Sequence, residues 1–317
     1  MQKKVIVLGA GAFGTAIANL LSDNREEVFL LCHEPEVYAD INQNHENSLF
    51  LPDVKLNSNI IATNEVKDLL TKDSVVFEAI PVKFLRSVLK KIKKNATEEQ
   101  LWVCLSKGME QETFLLPSQI IDDEFGFETK KAALYGPDFA KELGERKFSA
   151  ADLVCKDDEL RKNLVKTLEN NYFKTFYSDD LIGLQLGGVI KNILTILIGI
   201  AQGKDLGQNF KAFLLTKGFE QSAKLVEILG GKKETIYGLS GFGDLILTAT
   251  SGLSKNLRAG ILLGQRQDPQ DLYKYFDVLP EGFNSAESVY HLIQKRNLDL
   301  PFFKNAYQVI FEGKDLY

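Results

Sequence analysis

The stretch 5-VIVLGAGAFGTAIA-18 decides the fold. Lys3–Leu8 (KKVIVL) is a mostly apolar run of the kind found in strands buried on both faces of a parallel sheet. Gly9, Gly11 and Gly14 follow in G-x-G-x-x-G spacing, and Ala12–Leu21 then reads as a helix whose small residues face the turn. The spacing alone is weak evidence; a strand before it and a helix after it give it meaning. Gly9 permits a tight turn, Gly11 lets a pyrophosphate approach the backbone, and Gly14 lets helix and strand pack closely. The helix start, with Ala12 and Phe13, offers oriented N–H groups to the phosphates. The stretch therefore predicts dinucleotide binding; the competing reading is a purely structural glycine-rich turn.

Working outward, the first half alternates strand-like and helix-like segments. Strands are expected at Val28–Leu31, Asn59–Ala62, Ser74–Ala79, Leu101–Leu105 and Ala132–Tyr135, with a helix over Pro81–Lys94 that has its proline in the first turn. Ala150–Val154 and Tyr172–Tyr177 flank a helix over Asp158–Asn170 and extend the sheet. This order predicts an α/β, Rossmann-type, doubly wound parallel sheet with right-handed crossovers. The end of the second strand normally tells NAD from NADP, because an acid there holds the ribose 2′-hydroxyl. Here 30-LLCHEP-35 puts Cys32 where the acid is expected, followed by His33 and Glu34. Either NAD or NADP fits. His33 reads equally as a ribose or adenine contact and as a surface histidine.

From Asp179 onward no convincing strand recurs. Helices are expected over Asp179–Gln202, Asn209–Leu229, Gly243–Thr250, Ser254–Leu263, Ala286–Arg296 and Pro301–Glu312. The expected organisation is a dinucleotide-binding domain at 1–178 and an all-α substrate-binding and catalytic domain at 179–317. The first long helix, 181-LIGLQLGGVIKNILTILIGIA-201, is almost wholly apolar yet carries Lys191 and Asn192. It is long enough for a membrane span, but Gln185, Lys191, Asn192, Thr195 and four glycines interrupt it. A charge in lipid costs several kcal/mol, of order 3 or more. A buried lysine at a reactive site and a core lysine reaching the surface along its methylenes are the other readings.

The totals narrow the class. Of 317 residues, 44% are hydrophobic and 26% charged, the profile of a soluble globular chain. A net charge of −5 argues against nucleic acid as the main partner. Cys32, Cys104 and Cys155 lack CxxC spacing and read as small core residues in a reducing compartment. His33 and His45 have no metal-ligand partners in sequence, and no metal site is expected. MQKKVIVLGAGAFG lacks the pattern of a secretory signal.

Taken together, the motifs resemble the NAD(P)-dependent glycerol-3-phosphate dehydrogenases. GAGAFGTAIA at 9–18, SKGME at 106–110, YGPDFAKEL at 135–143 and SDDLIGLQLGGVIKNILTILIGIAQG at 178–203 occur in order. GLSGFGDLILTAT at 238–250, LSKNLRAG at 253–260 and PEGFNSAE at 280–287 complete the set. The resemblance implies hydride transfer between NAD(P)H and dihydroxyacetone phosphate, forming sn-glycerol 3-phosphate for phospholipid synthesis, in a cleft between the domains. It implies Lys191 as proton donor, Lys107 as a second active-site lysine touching substrate and cofactor, and Asp244, Thr248 and Asn192 completing the polar cluster. Ser254, Lys255, Asn256 and Arg258 are then the phosphate-binding segment. Gly136 and Ala140 line cofactor and substrate, Asp138 lies on the substrate side, and Glu281, with Lys255, on the cofactor side. A cytoplasmic homodimer without a membrane span is implied by analogy.

The chemistry agrees with these roles. Hydride addition builds negative charge on a ketone oxygen, which a cation stabilises and can protonate. Burial among Ile190, Ile193 and Leu194 would favour the neutral amine of Lys191. Several positions depart from the family pattern. Lys255 stands for a usual arginine and cannot make its two-pronged phosphate contact. Asp138 stands for a threonine or serine and would repel a phosphorylated substrate unless turned away. Ser106 stands for threonine, and Glu78 for an apolar or small residue. A dehydrogenase of the same fold acting on another small hydroxy compound, and a nucleotide-binding regulator without turnover, are the alternatives.

Overall fold

In the computed structural model the described residues are 4–24, 27–252, 254–265, 269–276 and 278–316. Lys3, which opens the expected first strand, and Leu253 of the LSKNLRAG motif lie outside them. The chain divides into two compact units, Met1–Ser106 with Pro117–Leu181, and Lys107–Leu116 with Ile182–Tyr317. This differs from a single cut at Ser178, because a short excursion of the first half packs with the second unit.

The first unit is built on an eight-stranded sheet in the order β3-β2-β1-β4-β5-β6-β7-β8. The strands are β1 (Val5–Leu8), β2 (Val28–Leu31), β3 (Ile60–Thr63), β4 (Val75–Glu78), β5 (Leu101–Cys104), β6 (Lys130–Tyr135), β7 (Ser149–Cys155) and β8 (Phe173–Ser178). The helices are α1 (Ala12–Asp23), α2 (Pro35–Asn44), α3 (Val82–Ile92), α4 (Pro117–Phe125), α5 (Ala140–Gly144) and α6 (Asp158–Leu168). Strands β1, β4 and β5 are buried at every position, as expected of central strands covered on both faces.

One expectation needs correction. The pairing is parallel from β3 to β6, but β6 and β7 run antiparallel, with Ala132 opposite Cys155. The cause is the short connection. It holds only the five-residue α5, which rises about 7 Å, whereas the six-residue β6 is about 20 Å long. The chain therefore turns back rather than crossing over, and β8 continues parallel to β7. Helices α2, α4 and α5 were not anticipated; α2 buries only Val37 and Ile41, too few to leave a helical period in the sequence.

The register aligns the ends that matter. Leu8 pairs with Glu78, Glu78 with Cys104, and Cys104 with Ala133. The glycine turn after β1, Glu78, Ser106 and Tyr135 therefore follow one another along the carboxyl edge of the sheet, where such folds bind ligands.

The second unit holds α7 (Leu181–Gly203), α8 (Gly207–Ile228), α9 (Asp244–Thr250), α10 (Lys255–Gly264), α11 (Glu281–Lys295) and α12 (Pro301–Phe311), with no strand among the described residues. Helix α7 opens on the last residue of the first unit. Gly183–Ala201 are all buried, as an all-round apolar helix requires. It is long and apolar enough to cross a membrane, but 89% of its most apolar window is buried within the fold. Its glycines explain how. A Cβ on Gly199 would lie 2.4 Å from the Leu257 carbonyl oxygen, and one on Gly260 would lie 2.2 Å from that of Ile196. Gly203 and Gly264 repeat the arrangement one turn on. Helices α7 and α10 thus touch backbone to backbone along two G-x-x-x-G stripes.

This seam makes a direct prediction. Gly199→Val drives a branched side chain into a carbonyl that cannot move aside, and should cost at least about 3 kcal/mol. Urea unfolding measures it; a wild-type midpoint would show that the helices are not in contact there.

Candidate active site

At the carboxyl end of β1, Gly9 has φ +105°, a conformation that an L side chain resists. A Cβ on Gly14 would lie 1.9 Å from the Gly9 carbonyl oxygen, so α1 presses directly on the turn. At Gly11 nothing lies within 4 Å of a Cβ position, which leaves the backbone open on that side. Gly11 is also the N-cap of the twelve-residue α1 and has no side chain to occupy the first N–H groups. Open backbone beside an uncapped helix start fits a dinucleotide pyrophosphate. Ala12 and Phe13, half-buried, form the first turn. At the end of β2, Cys32 is buried and its thiol is pushed up to about 12 by burial and by Glu34. His33 is exposed, and no acid stands at the strand end to choose between ribose and 2′-phosphate.

The second unit gathers the chemistry. Lys107 donates to Asp244 Oδ2 at 2.6 Å, and Lys191 Nζ lies 3.3 Å from Asp244 Oδ1. Asp244 is only 2% exposed, and both amines are largely buried. One carboxylate thus serves two ammonium groups, and with all three ionised the cluster carries a net charge of +1. Asp244 does not cap its helix: it is the first residue of α9, and the cap is Gly243.

Each member is held from behind. The hydroxyl of Thr248, one turn on, donates to the Asp244 carbonyl at 2.8 Å and meets the Thr195 hydroxyl at 3.0 Å. Thr195 donates to the carbonyl of Lys191. Asn192 accepts from Asn256 Nδ2 at 2.9 Å, and Asn256 Oδ1 accepts from the Gly282 N–H at 3.0 Å. That chain assigns the Asn192 oxygen as acceptor and its NH2 as donor. The excursion Lys107–Leu116 is tied to α11: Ser288 donates to the Met109 carbonyl, and Gln111 donates to Glu287.

Other expected residues lie differently. Ser254 is buried and caps α10 by accepting from the Leu257 N–H. Lys255 and Arg258 are exposed on α10, and Arg258 rests 5.7 Å over the Phe276 ring. Glu281, half-buried, begins α11. In the first unit, Gly136 abuts β7, where a Cβ would lie 2.4 Å from the Ala150 carbonyl oxygen. Asp138 is 8% exposed, and Ala140 opens α5. Sequence reading gave no role to Thr195, although its position four residues after Lys191 was a usable signal. It flagged Glu78 as a departure from the family pattern but gave it no role at the sheet edge. Glu78, wholly inaccessible, accepts from the Ile80 N–H at 2.7 Å and from the Ser106 hydroxyl at 2.6 Å. Burial pushes its carboxyl up to about 7 against these hydrogen bonds.

A Rossmann-type sheet with an open glycine turn, together with a helical unit carrying two buried lysines on one carboxylate, defines a dinucleotide-dependent oxidoreductase. Comparison with known proteins names the family. The family model for the NAD-dependent glycerol-3-phosphate dehydrogenase N-terminus matches residues 4–161, and that for the C-terminus matches 180–317. A glycerol-3-phosphate dehydrogenase [NAD(P)+] of Bacillus cereus is 35% identical over 315 residues, covering 99% of this chain and 93% of its own. That of Bacillus pumilus is 36% identical, covering 99% and 91%. The crystal structure of glycerol-3-phosphate dehydrogenase from Coxiella burnetii superposes with a TM-score of 0.92 at 28% identity, over 99% of this chain and 96% of that one. The chain belongs to the NAD-dependent glycerol-3-phosphate dehydrogenase family.

Two outcomes follow from the buried charges. Asp244→Asn leaves two buried ammonium groups without their carboxylate and should cost about 3 kcal/mol or more in denaturant unfolding; a loss under about 1 kcal/mol would mean that the lysines find other partners. Glu78 has a raised folded-state value, so the folded chain binds its proton more tightly than the unfolded chain. Its contribution to stability is fully present below about 4.5 and lost as pH rises through about 7. The melting temperature of wild type relative to Glu78→Gln should therefore fall between pH 5 and pH 8; a constant difference would contradict the shift.

Proposed function

We propose that the chain interconverts dihydroxyacetone phosphate and sn-glycerol 3-phosphate with NAD or NADP as hydride carrier. The observation that carries this reading is the buried Lys107–Asp244–Lys191 cluster in a chain of this family. A nicotinamide bound at the Gly9–Gly14 turn would supply the hydride for the carbonyl carbon. As the carbonyl oxygen becomes an alkoxide, Lys191 gives it a proton, and the surplus positive charge of the cluster stabilises it before transfer is complete. Asp244 keeps the two ammonium groups side by side, which their mutual repulsion would otherwise oppose. Lys107 adds the second cation. Asn192 points its NH2 toward the substrate because its oxygen is already taken by Asn256. Thr248 and Thr195 fix the backbone that carries Asp244 and Lys191.

The glycine turn Gly9–Gly14 holds the pyrophosphate. The start of α10 receives the substrate phosphate: Lys255 and Arg258 supply positive charge at a helix N-terminus, and Ser254 and Asn256 order the turn. Residues 1–178 form the dinucleotide-binding part and 179–317 the substrate-binding part, to which the first part lends Lys107. Ala140, Glu281 and Lys255 extend the cofactor contacts, and Gly136 and Asp138 the substrate contacts. The protein works in the cytoplasm as a homodimer and feeds phospholipid synthesis.

The test is NADH oxidation with dihydroxyacetone phosphate beside unphosphorylated dihydroxyacetone. Turnover should require the phosphate, and Lys191→Ala should lower kcat by about 100-fold or more. Equal turnover without the phosphate would move the activity to another small hydroxy compound. Tight NADH binding with no turnover on either would mark a regulator.

A further inference from the structure

Glu78 takes no part in the chemistry above, yet a fully buried carboxylate at the carboxyl edge of a dehydrogenase sheet needs a reason. Among the described residues it has no ammonium partner. Its oxygens accept from Ile80 N–H and the Ser106 hydroxyl, with further support from the backbone of Leu105 and Ser106. From the strand on the far side of β5, Tyr135 donates to the Ser106 carbonyl at 2.6 Å. Ser106 is thus gripped twice, by its side chain from β4 and by its backbone from β6. The residue it precedes is Lys107, where the chain leaves the first unit and enters the second. We propose that Glu78 is a positioning residue for the reaction: with Tyr135 it fixes Ser106, and so sets the backbone from which Lys107 reaches Asp244.

The hydrogen-bond chemistry gives this role a direction. As a carboxylate, Glu78 accepts from both Ile80 and Ser106. Once protonated, it offers one oxygen as acceptor and one hydroxyl as donor, so the Ser106 hydroxyl must reverse its role. Protonation, centred at about 7, therefore loosens the grip as pH falls. The titratable groups that face Glu78 are the Cys104 thiol and the Tyr135 phenol, both pushed well up by burial and uncharged near neutrality. Lys131 and Asp122, which act on Cys104, are paired with each other. From β1, the opposing residue is the apolar Leu8.

The inference rests on the reading of Lys107 as an active-site lysine, and the experiment separates the two. The profile of kcat against pH is measured with dihydroxyacetone phosphate and NADH for wild type, Glu78→Gln, Ser106→Ala, their double variant and Lys107→Ala. Glu78→Gln keeps the shape; Ser106→Ala removes only a hydroxyl and guards against a folding failure of the first variant. Melting temperature and NADH affinity are recorded for each. Wild-type kcat should fall on the acid side through an ionisation near 7. In Glu78→Gln and Ser106→Ala that inflection should vanish and kcat at pH 8 should drop about tenfold, the scale of a small misplacement of a catalytic group. KM and NADH affinity should change little, and the double variant should be no worse than the singles. A Glu78→Gln protein with wild-type kcat and an unchanged inflection overturns the proposal, as does a loss matched by loss of folded protein. If Lys107→Ala is inactive in that case, only the positioning role falls. If Lys107→Ala turns over normally, the reading of the site falls and this inference with it.

Discussion

The carboxylate of Asp244, held between Lys107 and Lys191, is the interaction on which the second unit depends. Helix α7 is apolar on every side, and an ammonium in such a setting loses far more solvation than it regains from packing. One buried counter-charge makes the arrangement tolerable, and it does so for two amines at once. The consequence is mechanical as well as electrostatic. Lys107 arrives on an excursion from the first half of the sequence, Lys191 on α7 and Asp244 on α9, so three separate pieces of chain are pinned at one point. With all three groups ionised, the same arrangement leaves a surplus positive charge in a largely dry setting, the condition under which charge stabilisation is strongest.

The glycine seam supplies the geometry that the ion cluster needs. With Gly199 and Gly203 against Gly260 and Gly264, α7 and α10 lie as close as backbones allow. That approach lets the short amide of Asn256 reach Asn192, and a Cβ at Gly282 would strike the Asn256 oxygen at 2.6 Å. Glycines in α7 look like a weakness, since each costs about 1 kcal/mol of helix propensity. Here they are what allows a polar relay to run between helices in an apolar core.

How much of this was legible depended on range. The glycine turn and strands β1, β4 and β5 were readable because their signals are local: spacing, apolar runs and flanking glycines. The reversed direction of β7 was not, because it follows from the length of a connection rather than from any pattern within the strand. The membership of Lys107–Leu116 in the second unit was not, since Ser288 and Glu287, which hold it, lie far away in sequence. Lys191 and Asp244 stood out, one as a charge in an apolar helix and one at a helix start, but that Lys191 and Lys107 share the Asp244 carboxylate is a tertiary fact. In the segment 254–258, expected to bind phosphate, Ser254 spends its hydroxyl on its own helix and Arg258 lies over Phe276, contacts that residue type alone does not give. Glu78 was visible as an oddity, but its grip on Ser106 required the register of neighbouring strands.

Under the proposed function, Lys107, Asp244 and Lys191 act as one charged unit on the substrate oxygen. A double-mutant cycle in kcat/KM on Lys107→Ala and Asp244→Ala tests it most directly. Strong non-additivity is expected, with the double variant little worse than the poorer single, because removing either partner already dismantles the unit. Effects that simply add would contradict it, and would mean that the two side chains serve the reaction independently.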